Sequence, residues 1–462
     1  MTHTVLKLFV AALIVRLALA AALQWVVPAL PIGDQVRMAD PLLAERTSDL
    51  GITVFWDEWM YEQLAWGIAQ WWRSAPDLLA SGAPLQWLLP NVYLNAVGQA
   101  WEIQAKEAGE YLLPHVYAVA ALYTLIGHQP AAARALQSAV AALIPVLVFL
   151  LGRQWFGGGV ARLAGWTAVF EPATVFWSPW VLKDGGSLVL ILTVLLCAGR
   201  LARSPRVRSS VVLAVSLGML TVMRAPVAIY LGLLTPLAAL AARPNAAVRR
   251  WVVALSMLLL TSSVLWVSGE GFMGVRRLNP DLPFQLWYAR TTFGAGARTA
   301  LPEVGNPTAG SADPLRETNA YPRVPLEANL ESTRRNLAQL PMATVAVLTA
   351  PTPWSAETPL DRLALLFMPS WYAVLSLAAL GLAFSKGPQR VVLLLPLAYV
   401  AMTVLYLALI DTNVGMILRH RTLLLPVLLP LAAHGFLALG SIGLPFTRHV
   451  RHDKLTLPKQ IS

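Results

Sequence analysis

The 462-residue chain is poor in charge. Charged residues make up 13% of it against 57% hydrophobic, and the mean hydropathy is +0.59. A soluble chain of this size carries roughly twice that charge, so the composition is that of an integral membrane protein. Cysteine is nearly absent: Cys197, inside an apolar run, stands alone. Disulfides and thiolate metal sites within the chain are therefore excluded. There is no internal repeat and no low-complexity tract. The net charge of +11 comes without a basic aromatic face or a known nucleic-acid module, which excludes nucleic acid as a partner. The basic residues sit in short loops between apolar runs, the distribution expected of cytoplasmic loops.

What the chain does contain is a series of apolar runs and two long, more polar stretches. The first run, Leu6 to Leu30, is long for the apolar part of a signal peptide and reads as an uncleaved span. Arg16 within it is costly in lipid and should face protein or snorkel. Residues 31–113 follow with eleven acidic residues against four basic ones, a scarcity of bases that puts this stretch outside the cytoplasm.

Inside it, Trp56, Met60, Leu64, Ile68 and Trp71 recur at helical spacing. Asp57, Glu58, Glu62 and Gln63 lie mostly off that stripe. Trp59, Trp66 and Trp72 widen the apolar side, and the segment is too polar to span a membrane. It reads as a helix lying in the interface, presenting Asp57 and Glu58 at its N-terminal end, where negative charge is favoured. Pro114–Gly127 is apolar but short for a span of about 20 residues. It reads as a shallow or re-entrant outer-leaflet helix.

The remaining runs suggest spans near residues 132–151, 163–181 and 187–201. Two short ones within 211–242 are broken at Arg224-Ala-Pro226, and four more cover 251–268, 363–384, 391–410 and 422–440. That makes about ten spans with both ends cytoplasmic, in a single membrane domain over residues 1–445 followed by a cytoplasmic tail, 446–462. Residues 270–361 form a second outer loop, with an interfacial helix expected over Asn329–Thr349.

This phase gathers four charged sites at the outer face: Asp57-Glu58, Lys183-Asp184, Arg224 and Arg419-His420-Arg421. Guanidinium groups bind phosphate oxygens in a bidentate way, and the outer face is where basic anchors are least expected. Arg419 and Arg421 are therefore candidate phosphate ligands, with Lys183 and Arg224 as weaker ones. His115 lies within Pro114-His-Val-Tyr117, and a structural role for it stays open. No histidine stands at ligand spacing, so no metal site is assigned. A divalent cation shared by Asp57 and Asp184 stays open.

The ordered set consists of the acidic pair in a long first outer loop, Pro114-His-Val-Tyr117, Ala131-Ala-Ala-Arg-Ala-Leu-Gln-Ser138, Leu151-Gly-Arg-Gln-Trp-Phe-Gly157, Lys183-Asp184, and Arg419-x-Arg421 before a Pro-containing span. It resembles the GT-C superfamily of polyprenyl-phosphate-sugar glycosyltransferases, closest to the bacterial family-39-like and arabinose-transferase-like enzymes that also include the protein mannosyltransferases. The resemblance runs from about Asp57 to Gly435. It implies an all-α, GT-C-like bundle in a bacterial plasma membrane, with the active site on the outer face. It also implies transfer of a sugar from a polyprenyl-phosphate donor to a lipid, glycan or protein acceptor.

By the resemblance, Asp57 is the catalytic base, with Glu58 beside it and Asp184 as a second acidic site. Lys183-Asp184 departs from the family's Thr/Ser-Asp or Thr/Ser-Glu turn, which bears on the role of Asp184. The alternative reading is a lipid-linked oligosaccharide polymerase, ligase or flippase.

Overall fold

The computed structural model describes residues 2–26, 56–80, 114–201, 207–241, 326–355, 362, 364–386, 388–410 and 414–441. The expected span at 251–268, most of both outer loops and the tail lie outside the described residues. Among those described there are helices and turns and no strand. The α-helices are α1 (Thr2–Val26), α2 (Trp56–Ala80), α3 (Pro114–Ile126), α4 (Pro130–Ala141), α5 (Leu143–Phe156), α6 (Gly158–Phe170) and α7 (Pro172–Trp177). They continue as α8 (Lys183–Leu201), α9 (Val207–Ala241), α10 (Leu326–Thr349), α11 (Met368–Phe384), α12 (Pro388–Ile410), α13 (Val414–Arg421) and α14 (Leu425–Ser441).

Among the described residues, four segments are long and apolar enough to cross a membrane by length and composition: Thr2–Leu23, Pro130–Phe156, Lys183–Leu201 and Val207–Arg224. Shorter apolar helices include Pro114–Ile126, Pro226–Pro236, Met368–Phe384, Leu393–Leu409 and Leu425–Gly440.

Proline and one carboxylate decide where these helices break. The run at 163–181, expected as one span, is two helices. Glu171 leaves the helical region at φ −61°, ψ 116°, as a residue before proline is pushed to do. It then caps α7, accepting from the amides of Ala173 at 3.1 Å and Thr174 at 2.7 Å. Pro172 fills the first turn, where its missing N–H costs nothing.

The break expected within 211–242 is present. Arg224 is non-helical at φ −150°, ψ 73°, two residues before a proline whose ring clashes with the preceding turn. The stretch between the spans expected at 391–410 and 422–440 is partly helical, since α13 begins at Val414 and carries Arg419 in its last turn. Gly157, at φ 97°, supplies the left-handed turn between α5 and α6 that an L side chain would resist.

The main core runs from α5 and α6 through α8 and α9 to α11, α12 and α14. α11 and α14 meet at Gly381 and Gly435, where an added Cβ would strike the backbone at Leu431 and Leu377 respectively. Small residues at such a crossing let two backbones approach, the usual basis of helix association in lipid.

α1 packs on α4, α5 and α6 through Leu8 and Ala12. Arg16 is buried, as expected of a cation in that run, and its Nε donates to Ser178 Oγ at 3.0 Å.

α2 differs from its sequence reading. Leu64, Ile68 and Trp71 are buried, but against α3 and the turn before α8. Glu58 and Glu62, expected off the stripe, are buried with them. The reason is chemical: each has a partner. Glu62 accepts from the Tyr123 hydroxyl at 2.7 Å, and Glu58 accepts from Arg134 at 3.1 Å.

Candidate functional site

Three elements far apart in sequence meet at Asp184. It stands in the first turn of α8, where a helix N-terminus favours negative charge. One carboxylate oxygen accepts from Arg224 Nη2, at the kink of α9. The other accepts from Arg419 Nε of α13 at 2.5 Å. All three residues are buried. The kink lets Arg224 serve this purpose, because it turns the backbone out of the helix at the position whose side chain reaches Asp184.

His115, in the first turn of α3, is the fourth member. Its ring is 7% exposed, and neither nitrogen has a hydrogen-bond partner among the described residues. Tyr61 of α2 meets the ring edge-on, 4.8 Å between centroids. Burial, with the charge of Lys183 next in size, pushes the imidazole down to about 3; Asp184 opposes the shift and Arg419 adds to it. His115 is therefore neutral and feels Lys183, Asp184 and Arg419 together. Arg224 Nε is likewise buried with no partner among the described residues. Buried polar groups are nearly always hydrogen-bonded, and here two beside one carboxylate have no hydrogen-bond partner among the described residues.

A second cluster adjoins the first. Glu58 accepts from Arg134 Nε at 3.1 Å, from Arg134 Nη2 at 3.4 Å and from the Val181 amide at 3.3 Å. Arg134 also lies over the Trp180 ring at 5.3 Å. Glu58 thus ties α2 to α4 and to the turn that leads into Lys183-Asp184. A carboxylate with three such bonds is held rather than available as a base. Beside it, burial, with the Glu58 charge adding to it, lifts Glu62 to about 7 against the Tyr123 hydrogen bond. A cavity of about 10 Å³, lined by Thr174, Ser178, Asp184 and Thr422 among others, has room for one water.

Of the residues singled out in the sequence, Asp184, Arg224 and Arg419 are thus in contact, His115 feels the charges of Lys183, Asp184 and Arg419, and Glu58 stands beside them. Asp57 lies in the first turn of α2, and its side chain is outside the described residues.

Arg421 is not at the cluster. Its guanidinium donates to the carbonyls of Val347 at 2.5 Å and Ala346 at 3.1 Å, and lies over Trp371 at 5.3 Å. Two residues along a helix turn a side chain through about 200°, so Arg419 and Arg421 cannot share one partner. Arg421 anchors α13 to α10 and α11.

Arg134 was not read as a site residue, although an arginine in an apolar run is a signal of function or burial. Among the described residues no group of three or more His, Cys, Asp or Glu is placed to hold a metal. Compared with known families and with curated proteins, the chain matches none.

Proposed function

We propose that the protein is a membrane glycosyltransferase of GT-C type. It moves a sugar from a polyprenyl-phosphate donor to a lipid, glycan or protein acceptor on the non-cytoplasmic face. The reading includes about ten spans, both termini inside, and a bacterial plasma membrane as the setting. The observation that carries it is the meeting of Arg224 and Arg419 at Asp184, within electrostatic reach of neutral His115, next to the helix that bears Asp57. Among the described residues, two contacts join that helix to the cluster, Tyr61 on His115 and Glu58 on the Val181 amide.

The chemistry follows from charge. An acceptor hydroxyl attacks the sugar C1, and the bond from C1 to the phosphate oxygen breaks with its electron pair going to phosphate. The cations offset the negative charge that grows there. The acceptor proton goes to Asp57 as general base. Polyprenyl phosphate leaves without a proton donor. Asp184 orients Arg224 and Arg419, and Glu58 with Arg134 positions the turn that carries Asp184.

Steady-state kinetics on Arg419→Ala test this reading. Loss of a charge-assisted contact costs about 1.5–3 kcal/mol, so the donor KM should rise and turnover should fall, ten- to a hundredfold in kcat/KM. Unchanged kinetics at normal expression would reject phosphate binding at Arg419.

A further inference from the structure

We infer that His115 binds a hydroxyl of the transferred sugar, so that the place around Asp184 takes a glycosyl phosphate rather than a bare phosphate. This rests on the phosphate-binding reading above and deepens it by naming a residue that reads the sugar.

Two buried groups near Asp184 have no hydrogen-bond partner among the described residues, and they differ in kind. Arg224 Nε is a charged donor on a side chain whose Nη2 holds Asp184. It can only give a hydrogen bond, and an anionic oxygen suits it. His115 leaves both ring nitrogens unmet, in a residue only 7% exposed. Its value, pushed down to about 3 by burial, keeps the ring neutral. A neutral imidazole has one N–H that donates and one nitrogen that accepts. The free oxygens of a glycosyl phosphate carry no proton. They could serve the donor nitrogen and would leave the other unmet. A hydroxyl both gives and receives, and can serve either.

The setting of the ring says which hydroxyl. His115 feels the charges of Lys183, Asp184 and Arg419. In the donor the phosphate is joined directly to C1, so the hydroxyl on the next carbon stays close to the phosphate in any pose. An acceptor hydroxyl that displaces the phosphate comes to C1 from the opposite side. The hydroxyl nearest a group that feels Asp184 and Arg419 is therefore the sugar's own.

Packing alone does not call for a histidine here. Tyr61 meets the ring edge-on at 4.8 Å between centroids, and a phenylalanine ring would serve that contact without burying two unmet nitrogens, which costs stability. His128 and His434 each bury one unmet nitrogen among the described residues; at His115 both are buried and unmet.

The test is equilibrium binding to the full chain in nanodiscs, with four probes: polyprenyl-phosphate glucose, mannose and arabinose, and polyprenyl monophosphate. The parent should bind the monophosphate and at least one sugar lipid. In His115→Phe and His115→Leu that sugar lipid should bind about tenfold or more weakly, the effect of leaving its hydroxyl unpaired. Monophosphate should bind as tightly as it does to the parent. His115→Gln, which keeps a donor and an acceptor, should restore part of the loss. The melting temperature of His115→Phe should equal or exceed the parent's, because no hydrogen bond within the fold is lost.

Equal weakening of sugar lipid and monophosphate would make His115 a phosphate ligand, overturning the inference and leaving the phosphate reading intact. Unchanged binding of every probe in the Phe and Leu variants would overturn it as well. So would a parent that binds the monophosphate and none of the sugar lipids. A melting temperature lowered in both the Phe and the Leu variant would reveal a partner for the ring within the fold and give His115 a structural role instead. Failure of all four probes to bind the parent would overturn the phosphate reading itself, and this inference with it.

Discussion

Asp184 has both oxygens committed to arginines, and this separates its role from that of Asp57. In Asp184→Asn the two buried guanidinium groups would face each other without the charge that holds them. Removing one partner of a buried pair costs about 3–5 kcal/mol. Melting temperature and turnover should fall together, read by thermal unfolding and by donor consumption; full activity with an unchanged melting temperature would reject the orienting role.

Arg421→Ala is expected to behave differently. Its loss takes a donor from the Val347 carbonyl, while Ala346 keeps the Ala350 amide, at about 1–3 kcal/mol, and the donor KM stays as it was. A raised KM in that variant would return Arg421 to the phosphate site. The Arg-x-Arg spacing drew attention to both residues, but only the helix of α13, between the spans expected at 391–410 and 422–440, tells them apart.

At the scale of elements, α2 shows where pattern reading stops. Spacing located its helix and half of its buried face. It placed Glu58 and Glu62 outside, because a carboxylate is buried only when paired, and the partners stand 76 and 61 positions away. No local signal reports such a distance.

The raised value of Glu62 has a consequence for pH. The folded protein holds this proton more tightly than the unfolded chain, so its contribution to stability is complete below the ordinary carboxylate value of 4.5. It is lost as the pH rises through about 7. Glu62→Gln keeps an acceptor for Tyr123 and removes the charge. Its melting temperature should exceed the parent's at pH 8 and match it at pH 5; the same difference at both values would contradict the assignment. The break at Arg224, by contrast, was legible because Pro226 dictates it, and the break at Glu171 was not weighed although Pro172 announces it.

For the whole molecule, composition and apolar runs identified a helical chain with membrane-length segments. Which charged residues meet was legible only in part, through the assumption that they share one face. Sidedness itself is open to direct measurement. In a Cys197→Ala background, cysteines at Ser81 and Ser311 should be labelled from outside the cell, and cysteines at Ser204 and Lys386 only after the membrane is opened. The reverse pattern would invert the bundle and put the cluster on the wrong side for a lipid-linked donor.

The central claim, sugar transfer from a lipid phosphate at this cluster, is tested most directly by donor discharge. The protein, reconstituted in vesicles with a membrane extract as the source of acceptor, is given polyprenyl-phosphate hexoses and pentoses in turn, and released polyprenyl monophosphate is quantified. One of these donors should be discharged with its sugar appearing in the acceptor fraction. Asp57→Asn should lower that rate roughly a hundredfold, the scale of a positioned base, with donor binding little changed. Discharge of none of them, or discharge at full rate by Asp57→Asn, would contradict the account.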